Sequence, residues 1–372
     1  MSIKLSRLYV TLLATILIIS WLLNFTLIRS QINENRNLAS LPSLGLLIKS
    51  PQKFTKEYEK YFEDNFILHS VCIKINNWLK RHIFKTSSKK VVLLGKNNWL
   101  FYNAKNDGEP IADYLGTNLF TLEELNIISN KLISWNNWMQ KKGIIFIIMI
   151  PPNKEEVFSE FLPNSINKKA KNSLTRVQQL IDHLDNKLKI IYSINKLQKS
   201  KYLGKLYYCT DTHWTPLGAF LYYQDLYQEL HEHFSSIPYS NLDDFRVKMN
   251  SLEFIGDLAN MITLDEKEFY TEIIHNPVIP YSITSLPNES LPSSTIVTKT
   301  DNLSLPKAVI FRDSFFINLL PFVAPNFSKS TYIWNYEIDY KLIEQEQPNV
   351  VILEIVERHI GLLRDIPSAF ID

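Results

Sequence analysis

A chain of 372 residues, 45% hydrophobic and 12% aromatic, carries enough apolar material to bury a sizeable core, as one large domain or one domain with embellishments. Its 40 basic and 38 acidic residues are spread along the chain and leave a formal net charge of +2, which excludes the basic footprint of a nucleic-acid binder. No glycine-rich phosphate loop, dinucleotide fingerprint or clustered His/Cys ligand set is present, so nucleotides, metals and other cofactors are not expected.

Leu8 to Leu27 is almost wholly apolar and uncharged, about the length that crosses a bilayer as a helix. Lys4 and Arg7 precede it, and a basic flank favours an N-terminus left in the cytoplasm. The bulky, polar stretch Asn24-Phe25-Thr26-Leu27-Ile28-Arg29 offers no small-residue cleavage site. Residues 1–30 are therefore expected to be an uncleaved signal-anchor, a transmembrane helix holding a single-pass inner-membrane protein whose remainder lies in the periplasm. Residues 31–90 follow as a linker and amphipathic helical collar. Gln31 to Pro51 is polar and proline-punctuated, and from Phe54 to about Phe84 the residues Tyr58, Phe62, Phe66, Val71, Ile75 and Trp78 recur near helical spacing, the pattern of core positions. The lysine-rich pieces Lys85 to Lys90 and Lys168 to Lys171 are short and read as solvated loops.

Residues 91–372 form the main domain. Thr121 with Glu124 is a capping-box signature, and Leu122, Leu125, Ile128, Leu132, Trp135 and Trp138 mark one face of a helix ending near Gly143. The run Ile144 to Ile150, stopped by Pro151-Pro152, predicts a strand buried on both faces. A helix over Asn172 to Lys187 then leads to a strand at Leu188 to Tyr192. Later strands are predicted at Ala308 to Phe311, Tyr332 to Trp334 and Val350 to Ile355. Alternation of this kind predicts a three-layer α/β/α domain with a mostly parallel sheet, its site in the loops at the carboxyl ends of the strands. Ser235 to Ser304 has weak periodicity and many prolines, and is expected to be an insertion that shapes a substrate groove. His231-Glu232-His233 reads as a polar helix end. Cys72 and Cys209 show no metal spacing, and whether they pair is left open.

Two segments carry the chemistry. In Asp211-Thr212-His213-Trp214 a one-residue gap puts the carboxylate and the imidazole on one side of an extended chain. In Phe311-Arg312-Asp313-Ser314-Phe315 a serine follows an apolar strand and precedes a helical stretch, so it stands exposed where free N–H groups can meet an oxyanion. A serine hydroxyl needs a neighbouring imidazole to take its proton, and a carboxylate to hold that imidazole. The bland alternatives are a helix cap for Asp313-Ser314 and a polar turn before Pro216 for the other segment. Only their conjunction points to acyl transfer.

Asp211-Thr212-His213-Trp214-Thr215 together with Arg312-Asp313-Ser314-Phe315 resembles the SGNH-hydrolase-like alginate O-acetyltransferase family, the periplasmic J and X type components of exopolysaccharide acetylation systems. Glu34 to Ala39, Gly95 to Phe101, Pro151 to Lys154, Gly256 to Ala259 and Val351 to Arg358 extend the likeness in order along the chain. The resemblance implies an SGNH-like domain with permuted motif order and Ser-His-Asp catalysis: Ser314 as nucleophile, His213 as general base, Asp211 as its orienter. It also implies an acetyl-enzyme, a membrane-bound acyltransferase as acetyl donor and a polysaccharide as acceptor, with the cytoplasmic membrane met through the N-terminal helix. Arg312 stands where many relatives carry Gly. Asn153, Arg312, Trp214 and Arg358 are the candidates for oxyanion or substrate binding, and a helix cap is the competing role for Asn153. The chain runs out soon after its last strand, which favours the J-like architecture. The same residues admit an esterase that removes acetyl groups, since water and a sugar hydroxyl attack the same acyl-enzyme, and a polysaccharide-binding scaffold with a decayed site.

Overall fold

The computed structural model describes residues 39–367, apart from 66, 85, 168–173, 238–241, 265, 277 and 287–294, together with Thr11, Ala14, Thr15 and Ile18. The chain divides into two compact units, Met1–Ser88 with Asn260–Asp265, and Lys89–Ala259 with Glu266–Asp372.

In the first unit the described helices are α1 (Leu44–Lys49), α2 (Pro51–Asn65) and α3 (Ile67–His82). The proline of α2 sits at the first helical position, where its missing N–H would have had no partner in any case. The helical spacing read from Phe54 onward thus becomes two helices, with Phe66 outside the described residues. Tyr58, Ile75 and Trp78 are 41%, 54% and 52% exposed, so they are not the core residues that the spacing suggested. Asn77 is buried instead, and its Nδ2 donates to the Ile262 carbonyl at 2.7 Å.

The expectation of a transmembrane anchor is corrected. No helix among the described residues is long and apolar enough to cross a membrane, and Leu8 to Leu27 lies outside them apart from four positions. An apolar run supplies hydropathy, whereas a span also needs about 20 residues of continuous helix. The inner-membrane and periplasmic placement rested on that span alone and is withdrawn with it.

The second unit opens with an antiparallel pair, β1 (Val92–Leu94) and β2 (Leu100–Tyr102). Helix α4 (Leu122–Lys141) begins at the predicted capping box, with the Glu124 N–H bonded to Thr121 Oγ1 at 3.2 Å and the Thr121 N–H bonded to Glu124 Oε2 at 2.9 Å. Then come β3 (Ile145–Met149), α5 (Lys154–Val157), α6 (Arg176–Leu184), β4 (Ile190–Ile191) and α7 (Pro216–His233). The stretch expected as an insertion supplies the pair β5 (Phe245–Ile255) and β6 (Lys267–His275), and then β7 (Ser282–Leu286) and β8 (Thr295–Lys299). The chain continues through β9 (Lys307–Phe311), α8 (Phe316–Val323), β10 (Lys329–Ile333), α9 (Tyr340–Glu346) and β11 (Val350–Glu354).

Seven strands form the main sheet in the order β4-β3-β11-β9-β10-β8-β7. Neighbours run parallel from β4 to β10, but β8 pairs antiparallel with β10, and β7 antiparallel with β8. The α/β fold therefore carries a mixed sheet, not the mostly parallel one expected. Strands β7 and β8 account for the difference: both come from the stretch whose weak periodicity hid them.

Burial on both faces explains the continuous apolar runs of the central strands. Ile147 and Met149, Ala308 and Ile310, and Val350 and Ile352 face a core that includes Phe220 and Leu226 of α7 and Phe316 and Leu319 of α8. Their alternates Ile148, Val309, Phe311, Val351 and Leu353 face a second core with Leu125, Leu132 and Trp135 of α4 and Val177 and Leu180 of α6. From the centre of the sheet the chain winds outward both ways, β3 to β4 and β9 to β10. The crevice at such a reversal, outside the carboxyl ends of the strands, is where a site is expected.

Helix α7 fixes the segment just before it. Thr215 caps the helix by accepting from the Gly218 N–H at 3.3 Å, while its own N–H donates to Leu206 O at 2.9 Å. A Cβ on Gly218 would stand 2.1 Å from that same Leu206 oxygen. Gly218→Ala is expected to cost about 1–3 kcal/mol through forced displacement, measured as a lowered melting temperature by calorimetry.

Candidate active site

Ser314 lies in the turn between β9 and α8, with its carbonyl accepting the Ile317 N–H at 3.2 Å. Its Oγ is 2.6 Å from His213 Nε2, and His213 Nδ1 is 2.6 Å from Asp211 Oδ1. A carboxylate only accepts, so Nδ1 bears the proton and Nε2 is left to accept from the serine hydroxyl. The Asp211 side chain is 6% exposed and that of His213 24%, so the carboxylate is enclosed while the imidazole edge meets solvent. The geometry is that of a hydroxyl whose proton can be taken by an oriented imidazole.

Each of the two segments is held from outside itself. Asp211 Oδ1 also accepts the His213 N–H at 2.8 Å, and Oδ2 accepts the Asp257 N–H at 2.7 Å. Asp257 in turn accepts from the Thr212 N–H at 2.9 Å and from the Thr212 hydroxyl at 2.6 Å. Gly256 permits this approach, since a Cβ there would stand 2.1 Å from the Thr210 carbonyl oxygen. Beneath the loop, fully buried Lys154 donates its ammonium to the carbonyls of Asp211 (2.6 Å), Tyr208 (3.3 Å) and Cys209 (3.4 Å). The rings of Trp99 and Phe101 flank that ammonium at 5.7 and 5.2 Å.

On the serine side Asp313 holds the turn. Its Oδ1 accepts the Phe315 N–H, and its Oδ2 accepts both the Val356 N–H beyond β11 and the Tyr336 hydroxyl beyond β10, each at 2.8 Å. Its own N–H donates to buried Glu354 at 2.9 Å. Trp214 joins the two halves: fully buried, it donates Nε1–H to the Phe315 carbonyl at 2.9 Å.

Charge is distributed unequally among the carboxylates. Burial works against ionised Asp211, but the His213 hydrogen bond and charge and the N–H groups of Asp257 and His213 outweigh it and bring its pKa down to about 2. Asp257 goes the other way, raised first by burial and then by the charge of Asp211. Burial likewise drives Glu354 up, assisted by Asp313. Burial lowers the Lys154 pKa, opposed by Glu155, Asp257 and Asp211. Asp211 is thus the carboxylate that stays charged beside the imidazole.

The other residues singled out in the sequence have definite places. The Arg312 N–H donates to Ile333 O at 2.9 Å, its guanidinium lies 4.5 Å over Trp334, and Nη1 donates to the Asp313 carbonyl at 3.2 Å. Arg312 is not among the residues with positive φ, so its backbone does not demand a glycine. Asn153 occupies the N-cap position of α5 without capping it. Its side chain lies 3.5 Å from Asp113 and accepts the Arg358 N–H at 3.3 Å. The Arg358 guanidinium lies 5.5 Å over the Phe315 ring, which also neighbours the His213 ring at 4.9 Å. Cys72 and Cys209 are both free, and burial lifts the Cys209 thiol to about 11. Asp211, His213 and Asp257 offer atoms within 4.8 Å of one another, close enough to meet one cation, though Asp211 and Asp257 already accept the N–H and O–H donors described. Sequence reasoning gave no site role to Lys154, Asp257 or Tyr336. The first two lie inside segments that carried the family likeness, and no local spacing marks any of the three.

Residues 92–289, more than half of the chain, match the family model described as an SGNH hydrolase-like domain, acetyltransferase AlgX. The chain belongs to this family. The matched region holds Asp211, His213 and Asp257 and stops before Ser314. Among curated proteins, the probable alginate O-acetylase AlgJ of Pseudomonas putida is 24% identical over 221 residues, covering 57% of this chain and 52% of that protein. Its counterpart in Pseudomonas aeruginosa is 22% identical over 252 residues, covering 65% and 59%. The chain spans about half the length of the curated relatives it matches. In fold it is similar to Bacillus cereus PatB1, solved alone (TM-score 0.54, 16% identity) and with a sulfonyl adduct (TM-score 0.54, 17% identity), each over 73% of this chain and 97% of the other.

The geometry of the site sets two expectations. Lys154→Met removes the donor shared by three carbonyls but also the cost of burying an ammonium, so the stability change is expected to be small. Reactivity of Ser314 toward a sulfonyl fluoride, followed by mass spectrometry, is expected to fall about tenfold or more as the Asp211 loop shifts. Separately, the Asp211 pKa falls from 3.8 unfolded to about 2 folded, so the unfolded chain binds more protons between those values and stability drops as pH falls through that window. The contribution is about 2 kcal/mol, present above pH 4. Acid unfolding of Asp211→Asn is expected to show a correspondingly flatter dependence over that range.

Proposed function

We propose that this protein is an O-acetyltransferase that moves an acetyl group to a polysaccharide hydroxyl through an acetyl-Ser314 intermediate. The observation that carries the reading is the unbroken chain from Asp211 through His213 to Ser314, with both links at 2.6 Å. Membership of the acetyltransferase AlgX family and the names of the AlgJ relatives support acetyl transfer and an alginate-like acceptor.

In the first half-reaction Ser314 Oγ attacks the acetyl carbonyl of the donor while His213 Nε2 takes the hydroxyl proton. Asp211 holds the imidazolium that forms. The protonated ring then gives that proton to the departing donor oxygen, leaving the acetyl ester on Oγ. In the second half an acceptor hydroxyl loses its proton to the same Nε2 as its oxygen attacks the ester carbonyl, and Ser314 leaves with the proton returned. The family resemblance supplies a membrane-bound acyltransferase as the acetyl donor. An esterase uses water in the second half, and the part-exposed edge of His213 gives water a path to it.

The test uses the full-length chain with 4-nitrophenyl acetate as donor, with and without unacetylated alginate oligomers. Acetylated oligomer and an acetyl adduct on the Ser314 peptide are expected, both lowered about a thousandfold or more in Ser314→Ala. Acetate release that ignores the oligomer assigns the protein to the esterases, and turnover undiminished in Ser314→Ala overturns the reading.

A further inference from the structure

A second carboxylate–imidazole arrangement lies on the other side of the serine turn, and the acetyl-transfer steps make no use of it. Asp107 Oδ1 is 2.7 Å from His359 Nε2, His359 Nδ1 is 2.8 Å from the Tyr336 hydroxyl, and that hydroxyl donates to Asp313 Oδ2 at 2.8 Å. The series therefore ends on the residue that precedes Ser314. Asp107 and His359 also line a polar cleft of about 360 Å³, so its far end meets solvent.

The protons along this series can be assigned by counting. Asp313 already accepts two backbone N–H groups, so the single Tyr336 proton is directed at its Oδ2. The Tyr336 oxygen is then left to accept, and only Nδ1–H of His359 is there to donate. At the other end the Asp107 carboxylate accepts from Nε2–H. Both ring nitrogens thus face oxygens that can take a hydrogen bond from the ring. The neighbours agree with this assignment. The His359 hydrogen bond is the largest influence drawing Asp107 down to about 2, with Tyr102 and Arg358 acting in the same sense. Burial, with the charges of Asp313 and Glu354, keeps the Tyr336 phenol protonated.

We propose that Asp107, His359 and Tyr336 are positioning residues for Ser314: His359 directs the Tyr336 hydroxyl onto Asp313, whose carboxylate sets the turn that presents the nucleophile. The proposal rests on the reading of Ser314 as nucleophile. Loss of the His359 ring leaves the Tyr336 oxygen without this donor and loosens the turn.

Turnover of 4-nitrophenyl acetate by the full-length chain, recorded with melting temperatures, tests this. Tyr336→Phe is expected to lower kcat about tenfold to a hundredfold with KM within about twofold. Its melting temperature should stay within about 4 °C of the parent. His359→Asn keeps an N–H near the Nδ1 position, so it should retain most of the rate, whereas His359→Ala should behave like Tyr336→Phe. A wild-type kcat in Tyr336→Phe, with Ser314→Ala inactive, overturns the positioning role alone. His359→Asn as impaired as His359→Ala also overturns it, because a merely structural ring would not be rescued. Undiminished turnover in Ser314→Ala overturns both readings.

Discussion

The carboxylate of Asp313 holds three chain segments at once. Through one side chain of fewer than half a dozen heavy atoms it bonds the first turn of α8, the chain after β11 and the tyrosine after β10. None of these links is a sheet or helix hydrogen bond. The serine turn is therefore fixed where the regular structure ends, and its position follows from a buried anion that must find donors or stay unsatisfied at considerable cost. Charged acceptors bonded to N–H groups are among the stronger and shorter hydrogen bonds available to a protein, which suits them to holding loops that no ladder supports.

The same device recurs around the crevice. Glu354 receives the Asp313 N–H, Glu357 receives the Asn153 N–H at 2.7 Å, Glu155 that of Tyr102 at 3.1 Å, and Glu268 those of Cys209 and Thr210 at 2.8 Å each. Asp257 and Asp211 do the same for one another's segments. Lys154 supplies the complement, an ammonium donating to carbonyls where carboxylates would fail. Burying this many acids raises their proton affinity, as with Glu354, Glu357 and Glu155, where burial is the largest cause. Asp211 escapes because an imidazole and two N–H groups converge on it. The group beside the base is thus singled out by its donors from a setting that otherwise neutralises carboxyl groups.

How much of this was legible in the sequence depends on how far apart the partners lie. The runs Ile144 to Ile150 and Val350 to Ile355 could be read as strands because burial on both faces leaves an unbroken apolar string. The cap at Thr121 could be read because its partner Glu124 is three residues on. Asp211 and His213 are two apart and meet through a local turn. By contrast β7 and β8 lie at one edge of the sheet, where Ile283 is 57% exposed, so no continuous run marks them. Their antiparallel pairing, and with it the mixed character of the sheet, had no local signal. At the N-terminus hydropathy pointed to a span, and no helix among the described residues is long and apolar enough to be one.

Arg312 illustrates the same limit from the other side. A glycine expected before Asp-Ser would imply a backbone that other residues cannot adopt, yet the Arg312 N–H continues strand pairing to Ile333 and its φ is not positive. The shape of the turn is imposed downstream, by the Asp313 carboxylate and its distant donors, so position 312 is free to carry a large side chain. That side chain stacks on Trp334 and bonds the Asp313 carbonyl, adding support to the turn. An arginine before Asp313-Ser314 is compatible with an intact turn, because the constraint resides in tertiary hydrogen bonds to Asp313 and not in the conformational freedom of the residue before it.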